Sequence, residues 1–224
     1  MTRVDPLQRI VRPPTASLIA DQLREAIVNG DLAQGAQIGE SQIAARFGVS
    51  RGPLREAMQR LVQEGLLHSI PHRGLFVTEL SNADIVDIYA ARLAVEGGAL
   101  TAILDQGGLG AAARRLDKVV RKMAAAAARG DAAALSRADL AFHEQLVAES
   151  GSVRLQRMSK TLLIETRMCL DALTDKYARP AELATEHAEL VEAIRTGDQD
   201  RARALLDEHM RDAVARLTAA SADG

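Results

Sequence analysis

The sequence contains no tryptophan, two tyrosines, three phenylalanines and a single cysteine in 224 residues. One thiol, Cys169, excludes an internal disulfide framework and fits a reducing, cytoplasmic setting. With aromatics at 2%, any large core must be filled by alanine and leucine, which predicts a helical one. No apolar run approaches the ~20 residues that span a bilayer. The N-terminus also lacks the apolar stretch of a signal peptide, so no membrane partner is expected. Strong charge of either sign is missing too, the net value being −2. Residues 1–80 carry nine arginines against eight acidic residues. Any hold on phosphate must therefore come from where the arginines sit, not from the total. What remains, 47% hydrophobic and 26% charged residues, is the balance of a soluble globular chain long enough for two modest domains.

The most informative stretch runs from Gly39 to Gly65. It predicts two short helices around a tight turn. Ser41 is placed to cap the first helix, and Ile43, Ala44 and Phe47 follow at helical spacing. Gly48 suits the left-handed residue that ends a helix. Ser50 caps the second helix, with Pro53 in its first turn, where no amide bond is lost. Leu54, Ala57, Met58 and Leu61 line its inner face, while Arg51, Gly52, Arg55 and Gln59 lie at its tip or on another face. This is helix-turn-helix spacing, in which the second helix enters the DNA major groove with its N-terminal end leading. Two strands, 66–70 and 75–77, follow around a turn at His72, Arg73 and Gly74 and supply a wing. Together GVSRGPLREAMQRLVQEGLL and HRGLFV resemble the DNA-binding domain of the GntR family of bacterial transcription regulators, over about residues 15–79. The resemblance implies contacts to DNA from Ser41, Ser50, Arg51, Gly52, Arg55, Gln59, His72, Arg73 and Gly74.

Ahead of this region, residues 1–14 form an arm with Arg3, Arg9, Arg12 and Pro13–Pro14, either disordered or touching the DNA backbone. A helix at 16–29 presents Leu18, Ile19, Leu23 and Ile27 to the domain core. A boundary falls at 79–82, where Ser81 and Asp84 resemble a capping box. From there to the end, residues 80–224 read as six antiparallel helices, at 82–105, 110–129, 131–149, 152–174, 180–196 and 199–218. The fold class expected is mainly α: an N-terminal winged helix-turn-helix followed by an antiparallel helical bundle.

Three of the five histidines lie in this bundle. Asp139 and His143 are four residues apart and share a helical face. His187 and His209 flank the turn at Gly197–Asp198 at similar distances, so they stand at matching heights in an antiparallel hairpin. One carboxylate and three imidazoles at one level suit Zn²⁺, with Ni²⁺ or Mn²⁺ as alternatives, and leave positions open for water or ligand. The same residues also permit ordinary core and surface roles. On the first bundle helix, Arg92 either pairs with Glu96 or reaches into the cavity to grip a carboxylate; Arg167 is a further candidate.

The stretches DLAFHEQLVAESGSVRL and EHAELVEAIRTGDQDRARALLDEHM resemble the effector (FCD) domain of the FadR-type subfamily. That resemblance implies a divalent metal on Asp139, His143, His187 and His209, a small carboxylate effector, and a homodimer on a palindromic operator. Ser152 departs from the Asn frequent in the family at that place. The implied function is a transcription regulator, a repressor released by an organic acid. A regulator answering to the metal itself, or a metal-dependent hydrolase, are the rivals. No catalytic motif ties a base to the histidines, so an enzyme is not expected.

Overall fold

The computed structural model describes residues 15–171 and 180–220; the N-terminal arm and positions 172–174 lie outside them. Two compact units divide between Thr78 and Glu79.

The first unit contains α1 (Thr15–Val28), β1 (Gln37–Ile38), α2 (Glu40–Phe47), α3 (Arg51–Gln63), β2 (Leu67–Ile70) and β3 (Gly74–Val77). α1 packs on α3, joining buried Ile19, Leu23 and Ile27 to Leu54, Ala57, Met58 and Leu61. Leu18 departs from expectation: it is 49% exposed, and Ala16 and Ala20 complete the buried stripe instead. Ala16, Ile19, Ala20, Leu23 and Ile27 share one face of α1, and Leu18 falls beside that face. Arg24 ties the same helices at the surface through a two-pronged bond to Glu64, with both contacts at 2.8 Å.

Gly48 ends α2 in the left-handed conformation, φ 63°, and Val49 N–H returns to the Ala44 carbonyl. The start of α2 differs from the sequence expectation. Gly39 occupies the capping position and Ser41 is the second residue of the helix. Ser50 does hold the capping position of α3, in an extended conformation, without a side-chain capping bond. The sheet has three strands, not two, in the antiparallel order β1-β3-β2. The additional strand pairs Gln37 with Phe76 and Ile38 with Leu75, covering the outer edge of β3. Two residues offer no period from which a strand can be read.

The second unit contains α4 (Asn82–Gln106), α5 (Leu109–Ala128), α6 (Ala132–Glu149), α7 (Val153–Asp171), α8 (Pro180–Thr196) and α9 (Gln199–Ala220). The capping box is present: Asp84 N–H donates to Ser81 Oγ at 3.2 Å, and Ser81 N–H to Asp84 Oδ2 at 2.8 Å. Asp131 caps α6 rather than opening it, accepting from Ala134 N–H. α5 packs on α6 and α8, α4 on α6, α7 and α9, and α8 on α9. Leu100, Leu116, Met123, Leu135, Phe142, Leu146 and Ile194 form the buried centre. Among the described residues, no helix is long and apolar enough to cross a membrane.

Candidate functional site

Leucine and alanine at core spacing bury the inner faces of α4, α6, α8 and α9, yet those faces also carry polar groups. Arg92, Glu96, Asp139, His143, His187 and His209 are all buried. Taking such groups from water is costly unless each finds partners. Here they find one another.

One ligand atom from each of Asp139, His143, His187 and His209 lies within 4.8 Å of all the others. His143 Nε2 and His209 Nε2 are 3.2 Å apart, and His187 Nε2 is 3.2 Å from Asp139 Oδ1. A tetrahedral ion with bonds of ~2.1 Å sets its ligands about 3.4 Å apart, so these separations suit one. The outer ring nitrogens are each anchored. His143 Nδ1 meets Glu96 Oε2 at 2.6 Å, His187 Nδ1 donates to the Leu183 carbonyl at 2.7 Å, and His209 Nδ1 stands 3.3 Å from Glu186 Oε2. Anchoring Nδ1 as the donor leaves each Nε2 lone pair pointing at the shared centre, which is how imidazoles are oriented toward a metal. The approach of His187 Nε2 to Asp139 Oδ1 is not aligned as a hydrogen bond, and both atoms are buried without a hydrogen-bond partner among the described residues. Orphaned buried polar atoms of this kind fit a cation between them.

The electrostatics agree. Burial works against the Asp139 carboxylate, but the imidazoles, His187 foremost, outweigh it and hold the group below the usual range. Burial likewise opposes ionised Glu96, yet His143 and Arg92 hold its pKa down to about 2. Burial pushes His209 down to about 4 and also lowers His143. At neutral pH the carboxylates are thus charged and these two imidazoles neutral, the protonation states that bind metal.

Arg92 takes the pairing role with Glu96. Its Nε donates to Glu96 Oε1 at 2.9 Å, its guanidinium lies 4.7 Å over the Tyr89 ring, and its buried Nη2 has no hydrogen-bond partner among the described residues. Glu96 has both oxygens committed, one to Arg92 and one to His143. Arg167 is half-buried on α7. Glu186 escapes sequence reasoning; only packing α8 on α9 brings it to His209, and nothing in its spacing marks it.

In the first unit, Arg51, Gly52, Arg55 and Gln59 are exposed along α3, with Ser50 exposed at its tip and Ser41 exposed on α2. At the wing, His72, Arg73 and Gly74 are exposed. His72 has φ 62°, Arg73 lies 5.4 Å over the Phe76 ring, and Gln37 Nε2 donates to the Arg73 carbonyl at 2.5 Å. Glu40 also escapes sequence reasoning: it forms a two-pronged bond with Arg55 from 15 residues away.

Residues 15–77 match the model for bacterial regulatory proteins of the gntR family, and residues 87–212 match the FCD domain. A protein of Paenarthrobacter nicotinovorans named "Probable D-xylose utilization operon transcriptional repressor" is 30% identical over 203 residues, 91% of this chain and 88% of its own. The gluconate operon transcriptional repressor of Bacillus subtilis strain 168 is 27% identical, over 87% of this chain and 81% of its own. The crystal structure of a GntR protein from Rhodococcus sp. RHA1 has a TM-score of 0.78 at 27% identity, covering 92% of this chain and 98% of that one. The chain therefore belongs to the GntR family of bacterial regulatory proteins: it is a DNA-binding transcription regulator with an FCD domain, and not an enzyme.

Proposed function

We propose that this regulator is a homodimeric repressor whose hold on a palindromic operator is controlled by a small organic acid bound at a divalent metal. Asp139, His143, His187 and His209 are the metal ligands. The observation that carries the reading is the buried set of Nε2 atoms facing one carboxylate, each with its outer nitrogen anchored. Three nitrogens and one oxygen suit zinc, and also nickel or manganese. Once bound, the metal supplies open coordination positions for a carboxylate.

The chain's own residues do the rest. Glu96 holds His143 in place and balances Arg92. Arg92 Nη2 has no hydrogen-bond partner among the described residues, which supports a role in gripping the acid's carboxylate by charge-assisted hydrogen bonding. Arg167 is a second candidate for that grip. Two relatives are named as repressors of sugar or sugar-acid operons, which supports polar organic acids as the ligand class. On the DNA side, Arg51 and Arg55 from α3 and Arg73 from the wing make the principal contacts, with Ser41, Ser50, Gly52, Gln59, His72 and Gly74 beside them. An arginine can donate to guanine O6 and N7 together, worth about 1–3 kcal/mol of discrimination.

The test is metal content, by mass spectrometry, of protein purified without chelator. One divalent ion per chain is expected for the wild type, and none for the His187→Ala/His209→Ala double variant with its helical content retained. A wild type that holds no metal and cannot be loaded with Zn²⁺, Ni²⁺ or Mn²⁺ ends the reading.

A further inference from the structure

Glu40 opens α2 and stands against α3, where its carboxylate meets the guanidinium of Arg55 in two places. Arg55 Nε donates to Oε1, and Nη2 lies 3.3 Å from Oε2. The hydrogen bond from Arg55 draws the Glu40 pKa down, and the nearby charge of Arg51 draws it further. Both side chains face solvent, Arg55 at 63% and Glu40 at 32% exposure. An ion pair so exposed adds little to stability. Its geometric consequence is larger. An arginine offers a side-on edge, Nε with Nη2, and an end-on edge, Nη1 with Nη2. Glu40 occupies the side-on edge, so the end-on edge is the one left for an outside acceptor pair.

We propose that Glu40 is a positioning residue for base recognition: it clamps the side-on edge of Arg55 and presents the end-on edge to a guanine. The inference rests on reading α3 as the recognition helix. A free arginine has many rotamers and bonds phosphate as readily as base. A clamped one reaches a single place with two parallel donors, and only guanine O6 and N7 match that fork in the major groove. The carboxylate also brings a negative charge close to phosphates, so it weakens binding to arbitrary duplex. Glu40 thus raises selectivity at some cost in overall affinity. A residue that merely held the fold together would, on removal, lower both.

The experiment uses the full-length protein and a fully randomised DNA duplex pool, with enriched sequences counted for wild type, Arg51→Ala, Arg55→Ala, Glu40→Gln and Glu40→Asp. Affinity for a scrambled duplex is measured alongside. Arg55→Ala should erase a guanine preference at one position of each half-site. Glu40→Gln should relax that same position about tenfold, leave the other positions alone, and bind scrambled duplex as tightly as wild type or more tightly. Glu40→Asp keeps the charge and should keep part of the preference. A wild-type profile in Glu40→Gln overturns the inference while leaving α3 as the reader. Loss spread over all positions, with weaker binding to scrambled duplex, also overturns it, in favour of a structural role. If Arg55→Ala changes no position, the inference fails, and the recognition-helix reading fails with it only if Arg51→Ala changes none either.

Discussion

At the scale of single residues, the polar knot inside the helical unit dominates. Glu96 serves two partners, Arg92 through Oε1 and His143 through Oε2. Glu96→Gln leaves the buried Arg92 charge without its counter-ion, and breaking such a pair costs about 3–5 kcal/mol. The same change frees His143 to turn, which should weaken metal retention about 10- to 100-fold. Urea unfolding and competition with a chelator measure the two effects, and a variant with wild-type values in both would remove Glu96 from this role. His209 adds a pH dependence whose sign is fixed. Burial lowers its pKa from 6.5 to about 4, so as pH falls through that window the unfolded chain takes up a proton the folded one refuses. Metal-free protein should therefore lose stability between pH 6.5 and about 4, and His209→Gln should flatten that slope. Equal slopes in both proteins would show that His209 does not set it.

At the scale of elements, helix ends and turns explain much of what the sequence displays. A Cβ added at Gly48 would meet no atom within 4 Å, so Gly48→Ala is penalised only by the φ of 63°. That backbone cost is roughly 1–2 kcal/mol. Thermal unfolding should show it as a lower midpoint for the first unit, and an unchanged midpoint would mean the turn relaxes freely. Gly48, the Ser81–Asp84 box and the Asp139–His143 spacing are all legible in the sequence because each depends on residues within four positions of one another. What is not legible depends on distant partners or on short elements. Strand β1 is two residues long and exists only because β3 is beside it. The cap of α2 falls on Gly39, where there is no side chain to announce it. Glu40 with Arg55, and Glu186 with His209, meet only after helices pack. Leu18 reads as a core residue because apolar spacing cannot tell which of two adjacent stripes is covered.

At the scale of the whole molecule, the chain joins a unit that reads DNA to a unit that carries the candidate metal centre. A ligand can shift the first only by binding differently to two arrangements of the second, typically with about 1–3 kcal/mol of coupling. Operator selectivity should depend on α3 and the wing, and the response should depend on the histidines. The direct measurement is affinity for the DNA selected by the wild type, titrated with a panel of hydroxy, keto and sugar acids. It is made on metal-loaded protein, on chelator-stripped protein and on His187→Ala/His209→Ala. The account predicts that at least one acid shifts the affinity of the metal-loaded protein about 5- to 150-fold. It predicts no shift in the other two, with their DNA selectivity retained. An equal shift in the stripped protein or in the double variant would contradict it.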